Sequence, residues 1–287
     1  MISWPEELIS DLARRKCIIF LGAGISMNSE NISHRRPKSW KGFLEDAISE
    51  ISPNKHIKTL INKFDFLTAC EIIKSKLDRE RFNTIILDEY LTPGYIPAEI
   101  HTHIYNLDSR IVMTPNFDKI YETCASNISS GSVQIKSYSD NDVAEAIRRP
   151  NRLIIKAHGT IDLPDQMIFS RAEYAEAKVK YKNFYTIFEA LIITHTFVFI
   201  GCGLNDPDIK LLLEDYSYRF KCARNHYFVI PKKTIHRDEE TVLKSAMNLK
   251  FITYNPDNHH KELTDSLKEL SEIVNNKRDD LAKSQNW

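Results

Sequence analysis

The sequence lacks long hydrophobic runs and lacks an excess of either charge. No stretch reaches the roughly 18 to 20 apolar residues that a membrane-spanning helix needs, and the N-terminal segment has neither the basic nor the apolar region of a signal peptide. Its 39 Lys and Arg residues are balanced by 39 Asp and Glu residues, whereas proteins that coat nucleic acid or anionic membranes carry a basic excess. We therefore expect a cytoplasmic protein with no membrane association and no direct nucleic-acid binding.

Cysteine is also scarce and is never paired along the chain. The five cysteines are widely spaced: Cys17, Cys70, Cys124, Cys202 and Cys222. No two of them form a Cys-x-x-Cys pair, and the ten histidines form neither a His-x3-His nor a His-Glu-x-x-His pattern, the spacings typical of zinc sites. An odd, scattered set fits reduced thiols in a reducing compartment. We therefore expect no disulfide framework and no bound metal.

Short apolar, β-branched runs alternate with amphipathic stretches along most of the chain. The runs lie at residues 17–21, 110–113, 133–138, 153–157, 196–200, 226–230 and 251–254. Such alternation is typical of α/β proteins, in which helices cover both faces of a mostly parallel sheet. Several runs end in Gly, Asn, Pro or His, and ligands of open α/β sheets bind at the carboxyl edge. The sequence thus predicts a Rossmann-like fold with a ligand site at that edge.

Residues 37–107 interrupt this alternation, because they contain no convincing strand and at least four stretches of helical periodicity. We interpret them as an all-helical layer inserted into a core formed by residues 1–36 and 108–274. Residues 275–287 are polar and charged and are predicted to form a frayed C-terminal tail. At roughly 150 residues per domain, core and insertion account for the length, so no separate sensor domain is expected.

The first candidate site follows the run at 17–21, where Gly22, Ala23, Gly24, Ile25 and Ser26 stand in succession. Two glycines allow a sharp turn and a close approach of the backbone to a phosphate, whose oxygens the amide groups of the turn can bind. The segment lacks the third glycine of the dinucleotide fingerprint and the Lys-Ser/Thr of a P-loop. A tight connection without a ligand is therefore the alternative.

A second candidate, Thr114, Pro115, Asn116, Phe117 and Asp118, ends the run at 110–113 and precedes a helical stretch. Thr114 or Asn116 could simply cap that helix, and Asp118 would favour its positive end. With a ligand at the same edge, Pro115 would instead stiffen the turn and hold the Asn116 and Asp118 side chains in one direction.

The third candidate is the pair His158 and Gly159, which ends the run at 153–157. A histidine at a strand end is commonly a packed or capping residue. Because glycine removes the neighbouring side chain, it also leaves room for a substrate beside an imidazole that exchanges protons near neutral pH.

The fourth candidate extends from Gly201 through Cys202 and Gly203 to Asp206, after the run at 196–200. Asp206 or the residue before it is expected to cap the next helix. Cys202 has no histidine nearby in sequence, which argues against a cysteine nucleophile. The Gly-x-Ser-x-Gly elbow is absent as well, which argues against Ser26 as the nucleophile of a serine hydrolase.

In this order, at the ends of successive strands, the four candidates resemble the sirtuin superfamily. Within it, the chain is more similar to the bacterial sirtuin-like NAD hydrolases of antiviral defence, in which an Asn-aromatic-Asp sequence, here Asn116, Phe117 and Asp118, replaces the Asn-Ile-Asp of the deacetylases. Residues 37–44 and the acidic residues at 206–208 are also similar to segments of these hydrolases. The resemblance covers most of the chain.

Departures from the deacetylase pattern support this comparison. Sirtuin deacetylases carry two cysteine pairs for zinc between the His-Gly motif and the later glycine turn, and this interval has no cysteine here. Their Gly-Ile-Pro-Asp-Phe-Arg loop is absent after Ser26. Cys202 and Gly203 stand where relatives usually have Ser or Thr, and Pro231 stands where deacetylases often have Asn. These positions leave the adenosine and phosphate contacts open.

The resemblance implies a role for each site residue. Asn116 would orient the ribose hydroxyls or the attacking water, His158 would act as general base, and Asp118 would hold the nicotinamide amide or supply negative charge. The NAD-binding residues implied are Gly22, Ala23, Gly24, Ser26, Thr114, Gly201, Cys202 and Asp206. NAD+ would be the substrate, and no metal would take part.

The implied activity is hydrolysis of NAD+ to nicotinamide and ADP-ribose, and the implied role is that of an antiphage effector that causes abortive infection by depleting NAD+. Such an enzyme would poison its own cell unless controlled. We therefore expect activation by assembly into a homo-oligomer or by a separate protein, such as an ATPase, an Argonaute-like protein or a phage component. The alternatives are a protein deacylase or ADP-ribosyltransferase, and a non-catalytic sensor of NAD or ADP-ribose. A basic loop at residues 34–36 (His34, Arg35 and Arg36) would close over the phosphates or remain a solvated surface.

Overall fold

The fold is centred on one parallel β-sheet in a computed structural model that describes residues 1–203, 207–220 and 224–284. Its strands are β1 (Cys17–Leu21), β2 (Ile111–Thr114), β3 (Gln134–Ser137), β4 (Leu153–Lys156), β5 (Thr196–Ile200), β6 (His226–Pro231) and β7 (Leu249–Tyr254). All seven predicted strands are confirmed, with ends shifted by at most two residues. Within the described residues every strand pairing is parallel, in the order β3-β4-β2-β1-β5-β6-β7.

The chain enters the sheet at its centre. β1 lies between β2 and β5, so the chain builds one side of the sheet before it returns to build the other. In open α/β sheets such a reversal of strand order opens a crevice at the carboxyl ends of the central strands. Every residue of β1 and of β5 is buried, as expected for strands covered on both faces.

Helices cover both faces of the sheet and form a further layer. They are α1 (Glu6–Ala13), α2 (Ala23–Ser26), α3 (Trp40–Ala47), α4 (Lys55–Asn62), α5 (Phe66–Lys76), α6 (Arg79–Tyr90), α7 (Glu99–Asn106), α8 (Ile120–Ile128), α9 (Val143–Arg148), α10 (Arg171–Lys180), α11 (Lys182–Thr194), α12 (Pro207–Arg219), α13 (Arg237–Met247) and α14 (Asp257–Ser284). Ile19 of β1 faces the side covered by α1, α7, α8 and α14, whereas Ile18 and Phe20 face the side covered by α9 to α13. The predicted Rossmann-like α/β architecture is confirmed.

Helices α3 to α6 pack around a core of their own. It contains Phe43, Ile57, Cys70 and Phe82, together with Phe169 from the loop before α10. Each helix begins at a polar residue whose side chain accepts a hydrogen bond from a backbone amide of the first turn; these capping residues are Ser39, Asn54, Asp65 and Asp78. The predicted helical character of residues 37–107 is confirmed, and no regular strand lies within them.

The end of the chain differs from the prediction. α14 extends to Ser284, its residue Leu281 is buried, and the Arg278 guanidinium donates hydrogen bonds to the carbonyl oxygens of Leu12 and Leu107. The prediction of a frayed tail from residue 275 was therefore wrong as far as Ser284, because this polar stretch is anchored by one arginine and by one apolar contact. Neither α14 nor any other helix in the described ranges is apolar enough over a sufficient length to cross a membrane.

Candidate active site

The four candidate turns converge at the carboxyl edge of the sheet around one cavity of about 500 Å³, here called the edge cavity. The predicted site residues in its lining are Gly22, Ala23, Gly24, Ser26, Asn116, Asp118, His158, Gly201 and Cys202. Thr114 lies beneath this lining. Asp206, the remaining predicted residue, lies outside the described residues. Turns that are far apart in sequence therefore meet at one place, as the strand order requires.

The first and fourth turns pack backbone against backbone. The amide groups of Gly22 and Gly24 donate hydrogen bonds to the carbonyl oxygens of Ile200 and Gly201, both at 2.9 Å. A Cβ atom on Gly22 would lie 2.4 Å from the Gly201 oxygen, and Gly201 itself has a φ of +68°. Contact between the two turns therefore already requires glycine here, independently of any ligand.

A chain of hydrogen bonds joins the first turn to the second. Ser26 Oγ donates to Asp118 Oδ2 at 2.7 Å, and Asn116 Nδ2 donates to Ser26 Oγ at 3.1 Å. The backbone amide of Ile120 donates to Asp118 Oδ1 at 2.9 Å. Both oxygens of this carboxylate, which is 6% exposed, are thus engaged within the protein. Asp118 orients Ser26 and, through it, Asn116.

Thr114 supports the same turn from beneath. Its hydroxyl donates a hydrogen bond to the carbonyl oxygen of Leu21 at 2.7 Å and accepts one from the amide of Asn116 at 3.0 Å. It therefore links the ends of β1 and β2. This position favours support of the turn over direct contact with a ligand.

His158 is buried at the end of β4 and lines the edge cavity. The Tyr174 hydroxyl of α10 lies 3.3 Å from its Nδ1 and 3.4 Å from its Nε2, and the two rings meet edge to face with centroids 5.1 Å apart. Gly159 has a φ of +90°, and a Cβ atom there would lie 2.7 Å from the Gln166 oxygen. Glycine is thus required by the loop that follows. Tyr174 is a neighbour of His158 that no sequence pattern indicated.

Residues from the helical layer and from the start of α10 form a further wall of the edge cavity. Trp40 and Phe66 stack with ring centroids 5.8 Å apart, and Arg171 pairs with Asp65 at 2.8 Å. Burial alone would raise the pKa of Asp65, but hydrogen bonds from Thr68 and Arg171 hold it below its ordinary value. Sequence reasoning missed these wall residues. The one signal toward them was the similarity of residues 37–44 to a segment of related proteins.

A buried carboxylate anchors the segment that leads into this wall. Glu89 of α6, which is 5% exposed, accepts hydrogen bonds from the Arg35 guanidinium, from the Lys38 amide at 2.9 Å and from the Tyr95 hydroxyl at 3.2 Å. Lys38 lines the edge cavity, whereas residues 34–36 are absent from the lining. Closure of that basic loop over phosphates stays a prediction.

Neither a thiol nucleophile nor a metal cluster is evident around the edge cavity within the described ranges. The half-buried Cys202 thiol lies 3.6 Å from the carbonyl oxygens of Phe20 and Ile200, which are weak structural contacts. No group of three or more His, Cys, Asp or Glu residues is arranged to hold a metal ion in this part of the chain. The amide of Asn116, the carboxylate of Asp118 and the imidazole of His158 are among the polar groups of this lining.

An all-parallel α/β sheet with a cavity at the carboxyl ends of its central strands is an architecture of nucleotide-binding proteins. Within that class, residues 110–252 match the SIR2-like domain family. Residues 110–252, about half of the chain and including the second, third and fourth turns, therefore form a SIR2-like domain, and the resemblance to the sirtuin superfamily is confirmed.

Similar proteins include NAD hydrolases and a defence protein. The NAD(+) hydrolase ThsA of Acinetobacter baumannii is 22% identical over 81% of this chain and 46% of its own length. The NAD(+) hydrolase ThsA of Cytobacillus dafuensis is 24% identical over 79% of this chain and 46% of its own length. Defense-associated sirtuin 2 of Bacillus subtilis is 25% identical over 72% of this chain and 20% of its own length. The chain thus spans about half the length of these two hydrolases and a fifth of the defence protein.

Proposed function

We propose that this chain hydrolyses NAD+ at the bond between nicotinamide and ribose, giving nicotinamide and ADP-ribose. The observation that carries the proposal is the hydrogen-bonded chain of Asn116, Ser26 and Asp118 on the lining of the cavity that His158 also lines. Membership of the SIR2-like family and the names of the two similar hydrolases support it.

To cleave this bond, an active site must stabilise the positive charge that develops on the ribose and must activate water. Nicotinamide leaves from a cationic ring and departs neutral, so it needs little help from a general acid. The ribose becomes electron-poor as the bond breaks, and fixed negative charge stabilises it. Water must then be activated at the ribose. A buried carboxylate at Asp118 and an imidazole at His158 have the chemistry for these two tasks.

In this proposal Asn116 and His158 touch the reacting groups. Ser26 holds the amide nitrogen of Asn116, which leaves the amide oxygen to accept a hydrogen bond from a ribose hydroxyl or from the attacking water. His158 accepts a proton from that water as general base. Because both oxygens of Asp118 are occupied within the protein, Asp118 positions Ser26 and supplies negative charge rather than binding the nicotinamide amide.

The glycine turns and the helical layer would hold the rest of NAD+. The binding residues that we propose are Gly22, Ala23, Gly24, Ser26, Gly201 and Cys202. The amide groups of Gly24 and Ile25 already donate to carbonyl oxygens within the protein, so phosphate binding would depend on close backbone approach more than on these two amides. Trp40 and Phe66 offer flat apolar surfaces against which a base could pack.

We further propose that loss of NAD+ serves defence against phage. One similar protein is named a defense-associated sirtuin. An NAD+ hydrolase without control would harm the cell that makes it. We therefore propose that the chain is activated by assembly into a homo-oligomer or by a separate protein partner. The same proposal includes the cytoplasmic location expected from the sequence.

Substitution of the two reacting groups tests the proposed activity. Asn116→Ala and His158→Ala should each abolish nicotinamide release from NAD+, measured by chromatography on the protein alone and together with proteins encoded beside its gene. Both variants should still fold and unfold cooperatively on heating. Asn127→Ala and His56→Ala replace the same residue types on exposed helix surfaces and should keep full activity.

The same assays separate the alternative functions. Binding of NAD+ or ADP-ribose without nicotinamide release in any assembly would contradict the hydrolase and favour a sensor. Nicotinamide release that required an acetylated peptide would favour a deacylase. Transfer of ADP-ribose onto a protein would favour an ADP-ribosyltransferase.

A further inference from the structure

A buried ion pair lies directly beneath the candidate active site. Lys156, the last residue of β4 and two residues before His158, is 2% exposed, and Glu122 of α8 is 5% exposed. Lys156 Nζ lies 3.5 Å from Glu122 Oε2. Neither residue is part of the lining of the edge cavity, so the proposed chemistry does not use them directly.

Lys156 also holds the turn that carries the reactive side chains. Its ammonium group donates a hydrogen bond to the backbone carbonyl oxygen of Asp118. The other end of this turn is held by Thr114, whose hydroxyl accepts from the Asn116 amide at 3.0 Å. Beneath the site, the turn at residues 115–118 is thus held by one residue of its own strand and by one residue of the neighbouring strand β4, in addition to its contacts with Ser26 and with the Ile161 amide.

A small cavity of about 10 Å³ separates the ion pair from the hydrogen-bonded side chains above it. Its lining includes Ser26, Thr114, Asn116, Glu122 and Lys156. This volume is about the space of one water molecule, and the lining offers several polar partners to it. Glu122 Oε2 has no hydrogen-bond partner among the described residues and would gain one from such a water.

The ion pair is costly to bury. Taking two charges out of water is compensated by their attraction only in part, and apolar residues of similar size are often as stable or more stable at such positions. Burial raises the pKa of the Glu122 carboxyl, while the charge of Lys156 opposes that rise. Stability alone therefore gives little reason for a lysine and a glutamate at these places.

We propose that Lys156 is a positioning residue for the reaction, which holds the Asp118 carbonyl so that Asn116 and Asp118 face the substrate, with Glu122 as its support. The proposal rests on the proposed hydrolase function. Lys156 touches no reacting atom, and it acts through the turn alone.

Paired substitutions test this role. Lys156→Met alone would leave a buried carboxylate without its partner and is expected to destabilise the fold strongly. The informative variant is therefore the double substitution Lys156→Met with Glu122→Gln, which keeps both volumes and removes both charges. Glu122→Gln alone would leave the buried Lys156 ammonium without its counter-charge and is expected to be destabilising as well. Lys136→Met, on the neighbouring strand β3, replaces a lysine that pairs with Asp142 near the surface and is the matched control.

Two measurements decide the outcome. In steady-state assays of nicotinamide release, the double variant should have a kcat about 10- to 100-fold below that of the wild type, with little change in KM, because a small displacement of reacting groups is enough for such a loss. Lys136→Met should remain near the wild-type kcat. In hydrogen exchange, peptides spanning residues 114–120 should exchange faster in the double variant than in Lys136→Met.

Each contrary result has a distinct meaning. A folded double variant with wild-type kcat, or with unchanged exchange at residues 114–120, would overturn the role of Lys156. A wild-type protein that never releases nicotinamide would instead contradict the proposed function, and the exchange comparison would still decide whether Lys156 holds the turn.

Discussion

Asp118 contacts Ser26, which lies 92 residues earlier in the chain, and Ser26 in turn contacts Asn116. The sequence placed these residues at the ends of two strands because Gly, Asn and Pro follow apolar runs there. It could not show that both carboxylate oxygens accept hydrogen bonds within the protein, since that depends on the parallel register between β1 and β2. Of the two roles expected for Asp118, these hydrogen bonds favour the supply of negative charge, with support of Ser26 and Asn116, over a hydrogen bond to the nicotinamide amide.

The Ser26 hydroxyl is therefore the most informative single group to remove. Ser26→Ala takes away the donor to Asp118 Oδ2 and the acceptor of Asn116 Nδ2, so kcat for nicotinamide release should fall about 10- to 100-fold with a smaller change in KM. Loss of one hydrogen bond to a buried carboxylate should lower the free energy of unfolding by about 1 to 3 kcal/mol. Steady-state kinetics and urea unfolding measure the two effects. Ser49→Ala, at an exposed position, is the control, and wild-type kcat in Ser26→Ala would refute the proposed network.

Among the elements, the helical layer between β1 and β2 has the largest consequence for the site. Its periodicity predicted helices correctly, and polar caps such as Ser39 and Asp65 explain where they begin. The sequence did not show that this layer supplies a wall of the edge cavity, because that contact is made by loops and helix starts. Ile100 and Ile104 of α7 belong to the core under the sheet, so we propose that the inserted layer ends before α7 rather than at residue 107.

Glu89 of α6 anchors this wall, so its removal should affect substrate binding. Glu89→Ala removes the acceptor of three hydrogen bonds and frees residues 35–41, so KM for NAD+ should rise about tenfold while kcat changes less, since the reacting groups lie on other elements. Steady-state assays of nicotinamide release at varied NAD+ concentration measure both constants. Glu80→Ala, at an exposed position of the same helix α6, should leave KM unchanged. A loss confined to kcat would show that the segment does not bind substrate.

On the scale of the whole molecule, the C-terminal helix α14 covers part of one face of the sheet. It packs with α1 and α7 beneath the sheet, and Arg278 donates hydrogen bonds to the carbonyl oxygens of Leu12, Ala13 and Leu107 at the ends of those helices. Asp108 completes this contact as a salt-bridge partner of Arg278 at 3.2 Å. Composition alone made the same stretch look like a mobile tail, because a single arginine in a polar sequence gives no sign of the carbonyl groups that will surround it.

Arg278 and its neighbour Lys277 allow a comparison of a buried and an exposed contact of α14. Arg278→Ala leaves the carbonyl groups of Leu12, Ala13 and Leu107 without this donor and removes one of the arginines that pair with Asp108, so the free energy of unfolding should fall by about 2 to 4 kcal/mol. Lys277→Ala removes an exposed ion pair with Glu6 and should cost less than about 1 kcal/mol. Chemical denaturation of both variants measures the difference. Equal effects would mean that α14 is held by apolar contacts alone.

The sequence by itself determined where the strands lie along the chain, the α/β class with a mostly parallel sheet, and the four turns at the carboxyl edge of that sheet. These follow from local properties, since apolar periodicity specifies an element and glycine, asparagine or histidine marks its end. The residues proposed to react, Asn116 and His158, could be predicted from the sequence because each follows an apolar strand. Their supports Tyr174 and Lys156, and the Glu89 carboxylate that anchors the wall of the edge cavity, were decided only by the tertiary structure. A buried polar side chain is placed by whichever distant group satisfies it, and that pairing exists only once the elements have packed.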